Sequence, residues 1–208
     1  MINKEVITAF ATPIYLSYIE NPNFCKTYIE VLKKQREDGE GDKRPSSWKS
    51  EHNLMDYDEF KDLSKSIVDE TQNVLDNYGM IRDSVEINNM WAQLSDENDY
   101  HPYHTHPNSF FSGLLYLNAP KGCSPTTFFN KELMYSDFIM PVSHYNSFNK
   151  TTYQVYPEVG KLIFFPSGLP HMVERPLNAD YKGEERATIA FTIMVRGENK
   201  FPSYSVKL

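Results

Sequence analysis

The chain has 208 residues, of which 40% are apolar and 14% aromatic, and its formal net charge is −7. This length fits one domain with a sizeable core. The negative charge argues against a nucleic-acid surface, because phosphate contacts need clustered Lys and Arg. No apolar run approaches the roughly 20 residues that span a membrane, and no signal peptide is recognisable. We therefore expect a cytoplasmic protein whose two cysteines are reduced and buried, with a disulfide as the alternative.

The first part of the chain predicts two helices. Residues 6–16 alternate as a strand that Pro13 interrupts, which favours a position at a sheet edge. Apolar residues at three- and four-residue spacing predict a helix over 23–37 and a longer one over 58–78. Between them, the segment 38–47 contains Gly and Pro and predicts a loop. This loop is either a mobile lid or a simple connection.

After residue 80 the pattern changes to short strands. Strands are predicted over residues 85–94, 110–117, 126–129, 160–166, 171–174 and 187–195. The segment 130–157 is predicted to be irregular and aromatic. Helices followed by strands indicate an α+β fold, with helices packed on a β-sandwich or barrel. We expect a single domain, with residues 1–80 as mainly helical support and residues 81–208 as the β core.

Three of the six histidines fall within six positions, at His101, His104 and His106. Neutral imidazole is the commonest protein ligand for a divalent transition metal. In a strand, residues i and i+2 point to one face, so His104 and His106 could bind one ion together. His171 follows a predicted strand and turn and could supply a third ligand from a neighbouring strand. His101 is expected in a turn or beside the ligands.

Arg186 begins an apolar predicted strand. A buried guanidinium is costly unless it meets an anion, and its fork of N–H donors matches a carboxylate. Thr188 would face the same side two residues later and add a hydroxyl donor. The alternative is that Arg186 forms a surface ion pair with Glu174 or Glu184.

These residues together resemble the signature of the Fe(II)- and 2-oxoglutarate-dependent oxygenases. That signature is HxD/E, then a distal His, then an Arg or Lys on the following strand. The resemblance rests on His104-Thr105-His106 and the strand after it, on residues 160–171 and on residues 186–191. The subgroup it resembles most is that of small oxygenases found in marine bacteria and cyanophages, with a looser similarity to prolyl hydroxylases. A phage-encoded member would act in the host cytoplasm.

The resemblance implies a double-stranded β-helix, or jelly-roll, core with supporting helices. It implies Fe(II) bound by His104 and His171, with 2-oxoglutarate as co-substrate. The distal carboxylate of 2-oxoglutarate would be held by Arg186, Thr188 and Tyr116. The implied reaction consumes O₂, releases succinate and CO₂, and hydroxylates a C–H bond of a small-molecule or peptide substrate.

The second ligand position departs from the family signature, because His106 stands where the family has Asp or Glu. A third imidazole could fill that position, or His106 could stay unbound while Asp99 or another acid contributes. A three-His site also suits Zn²⁺ or a cupin-like dioxygenase that needs no 2-oxoglutarate. A further alternative is a non-catalytic jelly-roll binding protein with a structural metal. The N-terminal elements could cover a sheet edge or form the contact of a homodimer.

Overall fold

A computed structural model describes residues 11–19, 21–134, 141–176, 183–201 and 204–207. Its helices are α1 (Pro22–Glu37), α2 (Lys61–Asn77) and α3 (Lys131–Met134), and 3₁₀ turns span Leu54–Asp56 and Asp58–Phe60. Its strands are β1 (Tyr15–Tyr18), β2 (Asp42–Lys43), β3 (Ser47–Lys49), β4 (Ser84–Ser95), β5 (His101–His104), β6 (Phe111–Asn118), β7 (Thr126–Phe129), β8 (Thr152–Val155), β9 (Lys161–Pro166), β10 (His171–Val173), β11 (Arg186–Arg196), β12 (Glu198–Phe201) and β13 (Tyr204–Lys207).

The strands form two antiparallel sheets and a separate hairpin. The large sheet has the order β1-β9-β6-β11-β4-β3-β2, and the small sheet has the order β5-β10-β7-β8. The hairpin pairs β12 with β13. A cluster of buried side chains from both sheets joins their inner faces, and it consists of Tyr116, Phe128, Val155, Ile163, Phe165 and Leu169. The predicted α+β class and jelly-roll core are thus confirmed.

The larger core lies on the other face of the large sheet. Leu63, Ile67 and Leu75 of α2 are fully buried there. They belong to one cluster with Met90 and Leu94, which alternate along β4 toward this face. The amphipathic stripe of the helix covers the sheet, so the opposite face of β4 is left to form the interior between the two sheets.

Strand β11 is central because it pairs with β4 on one side and β6 on the other. Gly113 of β6 lies opposite Phe191, and a Cβ atom there would overlap the Phe191 ring and lie 2.7 Å from the carbonyl oxygen of Ile163. A glycine is therefore required where the aromatic ring crosses the neighbouring strand. The tight packing fixes β6, β9 and β11 relative to one another.

The structure differs from the sequence predictions in several short elements. The segment 38–47 is not only a loop, because it contains β2 and leads into β3, and this hairpin extends the large sheet past β4. The segment 130–157 contains α3 and β8, and residues 135–140 of it lie outside the described residues. Of the predicted strand at 6–16, residues 6–10 also lie outside them, and β1 begins two residues after Pro13.

Strands β1, β2 and β3 come before residue 80 yet belong to the large sheet. The division into helical support over 1–80 and β core over 81–208 stays a prediction. Within the described residues, no helix combines the length and apolar character needed to cross a bilayer.

Candidate metal and anion site

Three histidines converge between the two sheets. One nitrogen atom from each of His104, His106 and His171 lies within 4.8 Å of the other two, and the ring centroids are 4.2 to 5.1 Å apart. No other group of three or more metal-binding side chains occurs in the part of the chain that the structure describes. The sequence-predicted ligands are thus brought together, and the donor set is one that binds divalent transition metals.

Backbone carbonyls orient two of these rings. Nδ1 of His104 is 2.7 Å from the carbonyl oxygen of Pro102, and Nδ1 of His171 is 3.0 Å from that of Leu169. A carbonyl only accepts, so Nδ1 of each ring carries the proton and donates. The unprotonated Nε2 of each ring is left as the potential metal ligand, which is the usual arrangement around metal-binding histidines.

His106 reaches the cluster by a route that the strand argument did not anticipate. Strand β5 ends at His104, and His106 lies in the segment after it. The backbone N–H of His106 donates to the carbonyl oxygen of Ser167, 3.0 Å away, in the turn that leads to His171. The hydroxyl of Ser109 reinforces this contact, since it lies 3.0 Å from the Ser167 hydroxyl. Hydrogen bonds between the two loops therefore position His106.

Burial keeps His106 and His171 neutral. Burial, together with neighbouring histidines, lowers the pKa of His171 to about 3 and that of His106 to about 4. The rings of Phe128 and Phe165 pack against His171, with centroids 5.8 and 4.7 Å away. Metal ligation requires the unprotonated ring, so the imidazoles of His106 and His171 need not lose a proton at neutral pH.

We expect the metal-free protein to lose stability as the pH falls from 6.5 to 5. The unfolded state binds a proton at each histidine near pH 6.5, whereas folded His171 binds one only near pH 3. The free energy of unfolding should therefore fall by about 1.7 kcal/mol for His171 between pH 6.5 and 5, with a slope that approaches about 1.4 kcal/mol per pH unit at the acidic end. Urea unfolding in chelator at pH 7, 6 and 5 measures the slope. A His171→Gln variant with the same slope as the wild type would contradict the prediction.

A buried guanidinium with one unpaired edge lies in the same pocket as the histidines. Arg186 is 8% exposed, and its Nε and Nη2 atoms have no hydrogen-bond partner among the described residues. These two donors occupy one edge of the planar guanidinium and point in parallel. A carboxylate would accept from both at once. Neither Glu174 nor Glu184 pairs with Arg186, so the surface ion pair considered above does not form.

The other two residues predicted near the anion lie beside Arg186. Thr188 lines the pocket and is 3% exposed. Tyr116 is fully buried, its ring centroid is 5.3 Å from the guanidinium carbon of Arg186, and its hydroxyl is 2.7 Å from Oγ1 of Thr126. The observed contact of Tyr116 is therefore with Arg186, which its ring face stabilises. A direct contact of Tyr116 with 2-oxoglutarate stays a prediction.

Two polar pocket residues, Gln93 and Ser95, were missed from the sequence. Trp91, Gln93 and Ser95 alternate along β4 and line the pocket. Asp99 also lines it and accepts hydrogen bonds from Gln93 Nε2, at 2.6 Å, and from Ser95 Oγ, at 2.7 Å. The polar residues at every second position of β4 were the available signal. The carboxylate of Asp99 is thus engaged elsewhere, and it is not part of the histidine cluster.

His101 borders the cluster without joining it. It pairs with Val173 across β5 and β10, and its ring centroid is 5.5 Å from that of His104. Burial lowers its pKa to about 4. The expected position beside the ligands thus agrees with the structure, although His101 lies in a strand and not in a turn.

Comparison with protein families gives one match. The family described as "Putative 2OG-Fe(II) oxygenase" matches residues 89–192, which is half of the chain. These residues run from β4 into β11 and include all three histidines and Arg186. A comparison with curated proteins gave no match.

Solved structures of low sequence identity share the fold. A prolyl-4-hydroxylase from Pseudomonas putida is 14% identical with a TM-score of 0.63, covering 89% of this chain and 94% of that one. HygX from Streptomyces hygroscopicus, solved with nickel and 2-oxoglutarate, is 10% identical with a TM-score of 0.61, covering 88% and 83%. The viral collagen prolyl hydroxylase of Paramecium Bursaria Chlorella virus-1, solved with 2-oxoglutarate, is 14% identical with a TM-score of 0.53, covering 86% and 94%.

Proposed function

The chain belongs to the 2OG-Fe(II) oxygenase family, and from that premise we propose that it hydroxylates a C–H bond with Fe(II), O₂ and 2-oxoglutarate. The observation that carries the proposal is the unpaired Nε and Nη2 edge of Arg186 in the pocket of the three histidines. A buried cation of this kind is costly unless an anion fills the pocket. A dicarboxylate can bind the metal with one end and supply the anion that Arg186 needs with the other.

In this proposal His104, His106 and His171 hold the iron. Three protein ligands leave coordination positions for the co-substrate and O₂. When bound, iron with 2-oxoglutarate supplies O₂ activation and the oxidative decarboxylation that yields succinate and CO₂. The protein's own part is to fix these ligands and to hold the distal carboxylate with Arg186, assisted by Thr188.

The two sheets supply the enclosure. The aromatic rings of Phe128 and Phe165 cover His171 from the interior. The guanidinium of Arg186 lies over the ring of Tyr116. An enclosed apolar environment strengthens the ion pair between Arg186 and a carboxylate, because little water competes for either partner.

Anaerobic titration tests the co-substrate. Addition of Fe(II) and then 2-oxoglutarate should give a weak visible charge-transfer band, and subsequent O₂ should yield one succinate per O₂ consumed. Parallel samples with Zn²⁺ in place of Fe(II) should give neither band nor succinate. If Fe(II)-loaded protein shows neither signal at any 2-oxoglutarate concentration, the proposed function is wrong.

The all-histidine donor set also favours a second candidate, a Zn enzyme or cupin-like three-His dioxygenase without 2-oxoglutarate. Neutral imidazoles suit Zn²⁺ as well as iron. In that case Arg186 would bind a substrate or serve the structure. Oxygen consumption that does not depend on 2-oxoglutarate would favour this candidate, and the absence of any turnover would favour a binding protein.

The remaining assignments are proposals as well. Both cysteines, Cys25 and Cys123, are buried and free, which suits a reducing compartment such as the cytoplasm. A small-molecule or peptide substrate is proposed, since the acidic chain disfavours nucleic acid. A homodimer stays a prediction that sedimentation at several protein concentrations can test.

A further inference from the structure

A lysine lies on the pocket face of the large sheet close to the histidines. Lys49 of β3 is opposite Gln93 of β4, and cross-strand partners point to the same side. Gln93 lines the pocket, whereas the neighbouring pair Trp48 and Leu94 points into the helix-covered core. The ammonium of Lys49 therefore lies on the same face of the sheet as the candidate metal site.

Trp91 connects this ammonium to the histidine cluster. Nζ of Lys49 is 5.0 Å from the Trp91 ring centroid, and that ring is 5.8 Å from the ring of His106. Trp91 is 7% exposed and itself lines the pocket. Only the side chain of Trp91 therefore lies between Lys49 and His106, a proposed metal ligand.

The charge of Lys49 is only partly compensated by the protein. The ammonium of Lys49 forms no ion pair or hydrogen bond with any residue that the structure describes. Asp42, its neighbour across β2 and β3, instead accepts from Nε of Arg44 at 3.0 Å. Partial burial lowers the pKa of Lys49 and Arg44 lowers it further, while the Asp42 carboxylate raises it and so offsets part of this shift. A half-buried ammonium whose N–H donors are unused binds an incoming anion more strongly than an exposed, already paired ammonium does.

We propose that Lys49, beside Trp91, binds an anionic group of the primary substrate. The substrate is then a small acid with a carboxylate or phosphate close to the carbon that is oxidised. The proposal rests on the function proposed above for the site. It deepens that function, since Arg186 would serve the co-substrate and Lys49 the substrate.

Matched acid and amide probes test this subsite without turnover. Zn²⁺-loaded protein saturated with 2-oxoglutarate is titrated with 3-phenylpropionate, 3-phenylpropanamide and 2-phenylethyl phosphate. Tryptophan fluorescence and ligand-observed NMR report binding. We expect the wild type to bind at least one acid about tenfold more tightly than the amide. Preference for the carboxylate or for the phosphate identifies which anion the subsite takes.

Three variants test whether Lys49 causes the preference for the acid probes over the amide. Lys49→Met should remove it, and Lys49→Arg should retain most of it because the charge remains. Lys43→Met is the matched control, because Lys43 is opposite Trp48 and so carries its charge on the other face of the same hairpin. It should keep the wild-type preference. Circular dichroism and 2-oxoglutarate affinity should be unchanged in all three.

The result separates this proposal from the proposed function. An Arg186→Met variant should lose 2-oxoglutarate binding but keep the preference for the acid probe. A Lys49→Met variant should keep 2-oxoglutarate binding but lose that preference. Equal binding of acids and amide by the wild type, or an undiminished preference in Lys49→Met, would overturn the Lys49 subsite. Failure of 2-oxoglutarate to bind the wild type would instead overturn the co-substrate assignment.

Discussion

Replacement of Arg186 by Met is expected to abolish 2-oxoglutarate binding while making the ligand-free protein more stable. The unpaired Nε and Nη2 donors are buried, so the ligand-free fold bears a desolvated charge that an apolar side chain of similar length would relieve. We expect the free energy of unfolding to rise by about 1–2 kcal/mol. We expect 2-oxoglutarate affinity to fall about a hundredfold or more, because one partner of a buried charge pair is lost.

Calorimetric titration of Zn²⁺-loaded protein measures the affinity, and urea unfolding of the metal-free protein measures the stability. Arg186→Lys is the matched control, since it keeps the charge but loses the parallel pair of donors, and we expect about a tenfold loss of affinity. Metal affinity should stay unchanged in both variants. A Met variant that binds 2-oxoglutarate within threefold of the wild type would refute the carboxylate role of Arg186.

The second large effect is expected at the histidine cluster. Alanine at His104, His106 or His171 should each lower Fe(II) affinity by roughly a hundredfold or more, because each removes one of a few ligands that share the whole binding free energy. Succinate formation should be lost with the metal. Competition against a chromophoric chelator under anaerobic conditions measures the affinity.

Two further variants make this result specific. His101→Ala removes a pocket histidine that is outside the cluster, so Fe(II) affinity should stay within about threefold. His106→Asp restores the carboxylate of the family signature, and we expect Fe(II) affinity within about tenfold of the wild type with turnover retained. If His106→Ala binds Fe(II) as the wild type does, His106 is not a ligand.

The long elements of the fold could be predicted because their hydrophobic patterns are local. Helix α2 buries a regular stripe, and strands β4, β6 and β11 contain long runs of buried residues, and burial imposes both patterns on the sequence. The short strand β2 has no such pattern, because both of its residues are exposed. It forms only because β3 is already paired with β4, and pairing of that kind is not encoded locally.

The residue types of the candidate site could be predicted from the sequence, but their arrangement in space could be predicted less well. His104 and His106 were expected on one face of a strand, but the strand ends at His104. The contact of His106 with Ser167 joins segments about sixty residues apart, and no local pattern contains it. Nothing in the sequence pointed to Lys49, because a lysine is common in a polar hairpin. Only the pairing of β3 with β4 determines which face of the sheet its side chain occupies.

The sequence by itself determined which chemical groups are available and their order along the chain, namely three imidazoles and one guanidinium at the start of an apolar strand. The tertiary structure decided that the end of β5 meets the start of β10 and that the unpaired edge of Arg186 lies in the same pocket. The reason is that strand register and the packing of two sheets depend on pairing between distant segments. Local periodicity determines which face of a strand is buried, but not which strand it will face.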